Sequence, residues 1–258
     1  MGSYIKAPSG AFLLAAKYCM TLQIGTGINI GGGISIGAGL FGPELVYNLN
    51  AANYSALPVD GSVVAGSGGY VVNVANPDGT MSWNAANGGV FNMTTVSGST
   101  NDYIYGGPNY VTGQSYTVFM VYQLDPAVGG RLLNTQDESS KDWLMGAYSG
   151  YPDTFYPNFA VNLPSSGADT VWHFNWATWD DTTSTGQLWT ATTTQPTTYS
   201  YSETSGSGGG FNQLRLFSRS GGFEVQTANI GLIQVYDDVI SLIKIQSLYN
   251  QFKTRFGY

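Results

Sequence analysis

Val171-Trp172-His173-Phe174-Asn175-Trp176-Ala177-Thr178-Trp179 is a run dense in aromatic and β-branched residues. Such side chains suit a pleated, packed surface, so the run reads as a β-strand. Similar runs lie on both sides of it. Before it come Leu45–Leu49, Tyr70–Val74, Val90–Met93, Tyr103–Tyr105, Tyr116–Leu124, Arg131–Asn134, Trp143–Tyr148 and Asn158–Leu163. After it come Gln187–Ala191, Gln213–Phe217 and Ala228–Tyr236. Turn-forming stretches separate them: Asn-Pro-Asp-Gly at 76–79, Gly-Gly-Pro-Asn at 106–109, Gly-Gly at 129–130 and Ser-Gly-Ser-Gly-Gly-Gly at 205–210. Many short strands with glycine-rich turns predict an all-β fold, an antiparallel β-sandwich of jelly-roll type. Only the C-terminus departs from this. Val239–Phe252 spaces Val239, Leu242, Ile243, Ile245, Leu248, Tyr249 and Phe252 mostly three and four apart, with Ser241 near the start, which predicts a short amphipathic helix.

The first 42 residues differ in kind. Leu22-Gln23-Ile24-Gly25-Thr26-Gly27, Ile28-Asn29-Ile30-Gly31-Gly32-Gly33 and Ile34-Ser35-Ile36-Gly37-Ala38-Gly39 form a threefold hexapeptide. In an extended strand alternate side chains face opposite ways. Ile24, Ile28, Ile30, Ile34 and Ile36 would then line one edge and leave the other nearly bare. A flexible glycine linker has no use for in-phase isoleucines, so the segment reads as an anchoring arm that docks on a partner or on other copies of itself. Extended, its 18 residues would span roughly 60 Å. Residues 9–20, after Pro8 and with Ser9 as cap, read as a short helix beside the arm. A composition shift at Phe41-Gly42-Pro43 predicts an arm over 1–42 and a sandwich over 43–258.

Composition narrows the function. Asp, Glu, Lys and Arg make up 10% of the chain, against the usual quarter or so. Nine basic residues, no cluster of them and a net charge of −7 argue against a nucleic-acid partner. No run of about eighteen apolar residues argues for membrane insertion. Cys19 is the only cysteine and sits in an apolar run, which suits a buried, inert thiol and excludes an intrachain disulfide. His173 is the only histidine, so a His-pair metal site cannot form, and any Ser–His scheme must pass through a residue flanked by Trp172 and Phe174. The glycine repeats lack the Gly-Lys-Ser/Thr of a phosphate loop. No cofactor is expected.

Binding fits better than catalysis. Asp142 to Tyr156 is rich in aromatics and glycine, and a flat aromatic beside a carboxylate can stack on a sugar ring and accept its hydroxyl protons. The candidate carbohydrate-binding residues are Asp142, Trp143, Tyr148, Tyr151, Asp153 and Tyr156. Taken singly, Trp143, Tyr148 and Phe155 read better as core or packing residues, and uncharged aromatic loops also suit contacts between protein subunits. Asp137-Glu138 with Asp142 reads as a solvated hairpin tip.

Trp172-His173-Phe174-Asn175-Trp176-Ala177-Thr178-Trp179-Asp180 resembles the Trp-His-His-Val-Ala-Leu-Thr-Tyr-Asp strand of laminin-G-like (concanavalin A-like lectin/glucanase) jelly rolls. Thr100-Asn101-Asp102-Tyr103-Ile104 is similar to that family's Thr-Asp-Asp-Tyr-Ile, and Tyr116-Thr117-Val118-Phe119 to its Phe-Thr-Val-Ser. Ile230 to Ser241 resembles Ile-Asp-Glu-Val-Arg-Ile-Tyr-Asn-Arg-Ala-Leu-Ser, and Lys253 to Gly257 resembles Lys-Gly-Arg-Phe-Gly. Leu45 to Asn53 resembles the Leu-Asp-Ala-Gly-Asn opening of versions carried on phage particles. The likeness runs in order over residues 44–258. Two departures stand out: Gly231-Leu232 replaces the family's Asp-Glu, and Thr190-Ala191-Thr192-Thr193 replaces its Tyr-Val-Asn-Gly.

What the resemblance implies is a virion structural protein of a tailed phage, a head decoration or a neck or tail surface protein. It would sit on the virion surface, with the arm binding capsid, neck or tail proteins and forming a homo-oligomer such as a trimer. The alternative is a lectin, an adhesin or tail-fibre domain that recognises host-surface glycan. Some relatives hydrolyse glucans with Glu-x-Asp-x-x-Glu, but Glu44, Glu138, Glu203 and Glu224 do not have that spacing, so no catalytic residue is expected. A calcium site of the laminin-G kind would have only Asp102 and Asp180 as matched ligands, too few carboxylates for a hard cation, so no metal is expected.

Overall fold

The computed structural model describes residues 28–30, 34–36, 42–94, 100–110, 113–124, 130–136, 143–148, 151–157, 161–162, 170–191, 201–203, 210–218 and 222–257. The readings made for the helix at 9–20, for Cys19 and for Ile24 lie outside them. The chain divides into two compact units, Met1–Gly42 and Pro43–Tyr258.

In the first unit, β1 (Ile28–Ile30) pairs antiparallel with β2 (Ile34–Ile36), matching Ile28 with Ile36 and Ile30 with Ile34. These two stretches therefore pair with each other and do not run on as parts of one straight strand.

The second unit is an all-β sandwich of two eight-stranded sheets whose ladders are antiparallel. Its strands are β3 (Leu45–Asn50), β4 (Ser62–Val63), β5 (Val71–Ala75), β6 (Met81–Asn84), β7 (Val90–Met93), β8 (Tyr103–Tyr110), β9 (Tyr116–Leu124), β10 (Leu133–Thr135), β11 (Trp143–Tyr148), β12 (Tyr151–Pro157), β13 (Val161–Asn162), β14 (Trp172–Asp180), β15 (Thr185–Ala191), β16 (Tyr201–Glu203), β17 (Phe211–Leu216) and β18 (Ala228–Tyr236). One sheet runs β16-β15-β14-β9-β18-β7-β6, with β3 also on β18; the other runs β13-β12-β11-β10-β17-β8-β5-β4.

The residues at 172–180 show why their strand has no solvent-facing side. On β14, Ala177 and Trp179 belong to the core between the sheets, while Trp172, Phe174 and Trp176 belong to a second core on the outer face. That second core is covered by the helix α1 (Leu242–Phe252). Ser241 caps α1, its Oγ accepting from Lys244 N at 3.3 Å. Ile245, Leu248, Tyr249 and Phe252 are buried, whereas Leu242 and Ile243 are exposed, so the apolar stripe is narrower than the sequence spacing suggests.

A bulge makes room for this cover. Register on β18 shifts between Ile230 and Leu232. Ala228 and Ile230 face the inner core before it, and Ile233 and Val235 after it. A Cβ on Gly231 would come within 2.4 Å of the Phe256 ring. Gly231 is therefore the small residue under Phe256, at a position where a side chain would not fit without displacing that ring. Arg255 fastens the same corner, donating to Asn87 O, Gly89 O and Asn50 Oδ1 at 2.6, 2.5 and 2.7 Å.

Both family-matched aspartates are spent on turns. Asp102 is fully buried and accepts from Asp78 N at 2.8 Å, from Thr80 N at 2.6 Å and from the Thr80 hydroxyl. Asp78 in return accepts from Asn101 N at 2.7 Å, and that bond, helped by the Thr100 hydroxyl, holds its carboxyl below the usual range. Asp180 accepts from Thr182 N at 2.9 Å in the β14–β15 hairpin. Among the described residues no group of three or more His, Cys, Asp or Glu is gathered so as to hold a metal ion.

Candidate functional site

The six sequence-selected binding residues do not share a face. Trp143 is fully buried, its Nε1 donating to the Tyr116 hydroxyl at 2.7 Å and its ring packed on Phe155 and Phe211. Asp153 is 5% exposed. Both belong to the interior, which corrects their assignment to a sugar-facing surface. Asp142 lies outside the described residues.

The three tyrosines come together on the outer face. On β11, Trp143, Met145 and Ala147 point into the core, so Leu144 and Tyr148 point away from it. Leu144 pairs with Tyr156 on β12. A bulge of one extra residue on β12 then pairs Tyr148 with Tyr151. Tyr148 is 37% and Tyr151 46% exposed. Arg131 lies beneath, its Cζ 5.3 Å from the Tyr148 ring centroid and its Nε 2.5 Å from Glu224 Oε2. Arg131, Leu144, Tyr148 and Tyr156 line a depression of about 220 Å³. A guanidinium fixed against one ring face while the residue stays open to water makes a braced aromatic platform.

Inside, behind Tyr151, the two sheets are joined by a polar network. The Tyr122 hydroxyl donates toward Pro152 O at 2.5 Å and Asp153 Oδ1 at 2.9 Å, and accepts from Asn175 Nδ2 at 2.7 Å. Thr190 Oγ1 donates to Asn175 Oδ1 at 2.9 Å. His173 Nδ1 bonds Asp153 Oδ1 at 3.1 Å, and its ring stacks on Tyr122 with centroids 5.2 Å apart. Burial pushes the Asp153 carboxyl up, but the bond and charge of His173, with Tyr122 and Asn175, bring it below the ordinary value. The pair is 1% and 7% exposed at its side chains. It is closed from solvent and so serves to pin the bulge that carries Tyr151.

A larger groove opens at the other end of β9 and β14. It is about 580 Å³ and is lined by residues including Tyr70, Asn109, Gln114, Thr182, Asp237 and Asp238. Tyr110 forms part of its wall; burial, and after it the charge of Asp237, raise its hydroxyl pKa well above the normal value. The sequence reading missed this groove, because its residues are spread from position 46 to 238 and only the fold brings them to one rim.

The sandwich is similar in fold to toxin binding domains. The binding domain of Paraclostridial Mosquitocidal Protein 1 superposes with a TM-score of 0.57 at 11% identity, over 81% of this chain and 52% of that one. The botulinum neurotoxin serotype D binding domain gives 0.54 at 12% identity, over 80% and 51%. The serotype G binding domain gives 0.51 at 10%, over 73% and 48%. The chain thus spans about half the length of these structures. No family model matches the sequence. No curated protein matches it either.

Proposed function

We propose that this chain is a glycan-binding sandwich displayed on a virion surface, attached through residues 1–42 as a homo-oligomer. The observation that carries the binding part is the Tyr148–Tyr151–Tyr156 face with Arg131 braced under Tyr148. Solvent-facing rings and their hydroxyls suit the apolar face and the polar rim of a pyranose. Similarity in fold to toxin binding domains agrees with a binding role rather than a catalytic one. The virion part rests on the hexapeptide arm and on the phage-like opening at Leu45 to Asn53. Head decoration leads over neck or tail, and the alternative is an adhesin or tail-fibre lectin domain that recognises host-surface glycan.

The binding part is tested by screening the protein against a panel of bacterial-surface and host-surface oligosaccharides. Tyr148→Ala and Tyr151→Ala should each weaken the best ligand several-fold, since an aromatic contact contributes about 0.5–1.5 kcal/mol beyond its buried area. Full-strength binding by the double variant would remove the platform reading. The virion part is tested with particles carrying a version that lacks residues 1–42: it should be absent from purified particles, and normal attachment would overturn it.

A further inference from the structure

We infer that the 580 Å³ groove is a second ligand site, distinct from the tyrosine face, and that it takes a short, non-anionic oligosaccharide. Its volume lies within the roughly 300–1,000 Å³ of small-ligand pockets. Its place is set by the fold: Tyr70 and Asn109 come from the sheet of β5 and β8, and Asp237 and Asp238 follow β18 of the opposite sheet. Tyr116 and Tyr122 on β9 mark the groove end and the polar-network end of the sandwich. At the usual rise their six-residue separation puts the two ends about 20 Å apart, so one small ligand does not bridge both.

The lining defines the ligand class. Amides (Asn109, Gln114), hydroxyls (Ser115, Thr182, Tyr70) and carboxylates (Asp237, Asp238) outnumber the apolar Val46 and Pro108. That mixture offers both donors and acceptors, which a polyhydroxylated ring can use and an apolar ligand cannot. The Tyr70 ring is braced edge-on by Tyr47, with centroids 6.3 Å apart, and the residue is 37% exposed, so it can stack. Charge sets the exclusion. Among the described residues the lining holds no Lys, Arg or His, and Asp181, whose Oδ1 accepts from Gly113 N at 3.1 Å, stands beside the same rim. An acidic sugar would meet carboxylates without a cation to pair with.

The test uses the full-length protein, with chitotetraose and maltotetraose as neutral probes, N-acetylneuraminic acid as the anionic probe and a lysine-containing tetrapeptide as control, read by calorimetry and ligand-observed NMR. Saturable binding of a neutral tetramer is expected, without binding of the anionic sugar. Tyr70→Ala should weaken it roughly five-fold or more. Thr182→Trp, at an exposed turn residue, should block the groove without removing a fold contact. Tyr148→Ala should leave this binding unchanged, which separates its failure from failure of the tyrosine-face reading. The inference is overturned if no neutral sugar binds, if the tetrapeptide or the anionic sugar binds in its place, or if Thr182→Trp binds like the parent.

Discussion

Tyr122 is the residue through which the interior supports the surface. Its hydroxyl touches Pro152, Asp153 and Asn175, and so ties the bulged start of β12 to the opposite sheet. Tyr122→Phe keeps the ring stack on His173 but leaves those partners unsatisfied, at a cost of about 1–3 kcal/mol. A lowered Tm is expected, together with weaker binding at the tyrosine face and unchanged binding in the groove; equal loss at both would mean general unfolding. Asp153 adds a pH signature. Its folded pKa lies below the ordinary value of about 3.9, so its contribution is full above that value and is lost as pH falls through the lower folded one. Asp153→Asn should lower stability at neutral pH and flatten the acid limb of a Tm-against-pH curve. An unchanged acid limb would show that other carboxylates govern acid unfolding. Part of this was legible in advance: Trp143 and Tyr148 are five apart, and an odd spacing within one strand puts them on opposite faces. Tyr151 was not, because its outward position depends on an extra residue in β12.

At the scale of elements, the C-terminal helix decides how the β14 sheet is finished. Eleven residues make a marginal helix in water, so α1 owes its stability to Ile245, Leu248, Tyr249 and Phe252 packed on the outer face. Each such burial is worth roughly 2 kcal/mol. Gly231→Ala puts a methyl group where Phe256 now sits and should cost about 1–3 kcal/mol, as overpacking does. Ile243→Ser, on the exposed side of the same helix, should shift Tm by no more than its small propensity difference. Denaturant midpoints of the two variants compare the effects directly, and equal shifts would contradict the packing described. The helix was readable from its spacing, with Ser241 near its start, but it begins at Leu242 rather than Val239 because Ser241 caps it. Its exposed Leu242 and Ile243 were not, since periodicity gives a stripe and only the receiving surface fixes its width. Strands β4, β6, β12 and β16 were also missed: β4, β6 and β16 run for only two, four and three residues, too short for a period to stand out, and the aromatics of β12 read as a loop.

For the whole molecule, the prediction concerns the unit at 1–42. The β1–β2 register pairs Ile28 with Ile36 and Ile30 with Ile34. A lone two-stranded pair is marginal in water, and a repeat this rich in isoleucine is expected to be covered by other copies or a partner. Mass measured in solution should show an oligomer for the full chain and a monomer for the version starting at residue 43. A monomer in both cases would overturn self-association and leave a separate partner as the occupant.

The sequence by itself determined the all-β class, most of the strands, the capped C-terminal helix and the low-charge surface, because period, β-propensity and turn chemistry act over a few residues. Tertiary structure alone decided that β14 is buried on both faces and that Asp102 and Asp180 hold turns. It also decided that Trp143 and Asp153 lie inside while Tyr148, Tyr151 and Tyr156 lie outside, and that residues from Val46 to Asp238 meet in one groove. The reason is physical: alternation fixes which side chains share a face, but which face goes inward depends on surfaces brought from distant parts of the chain.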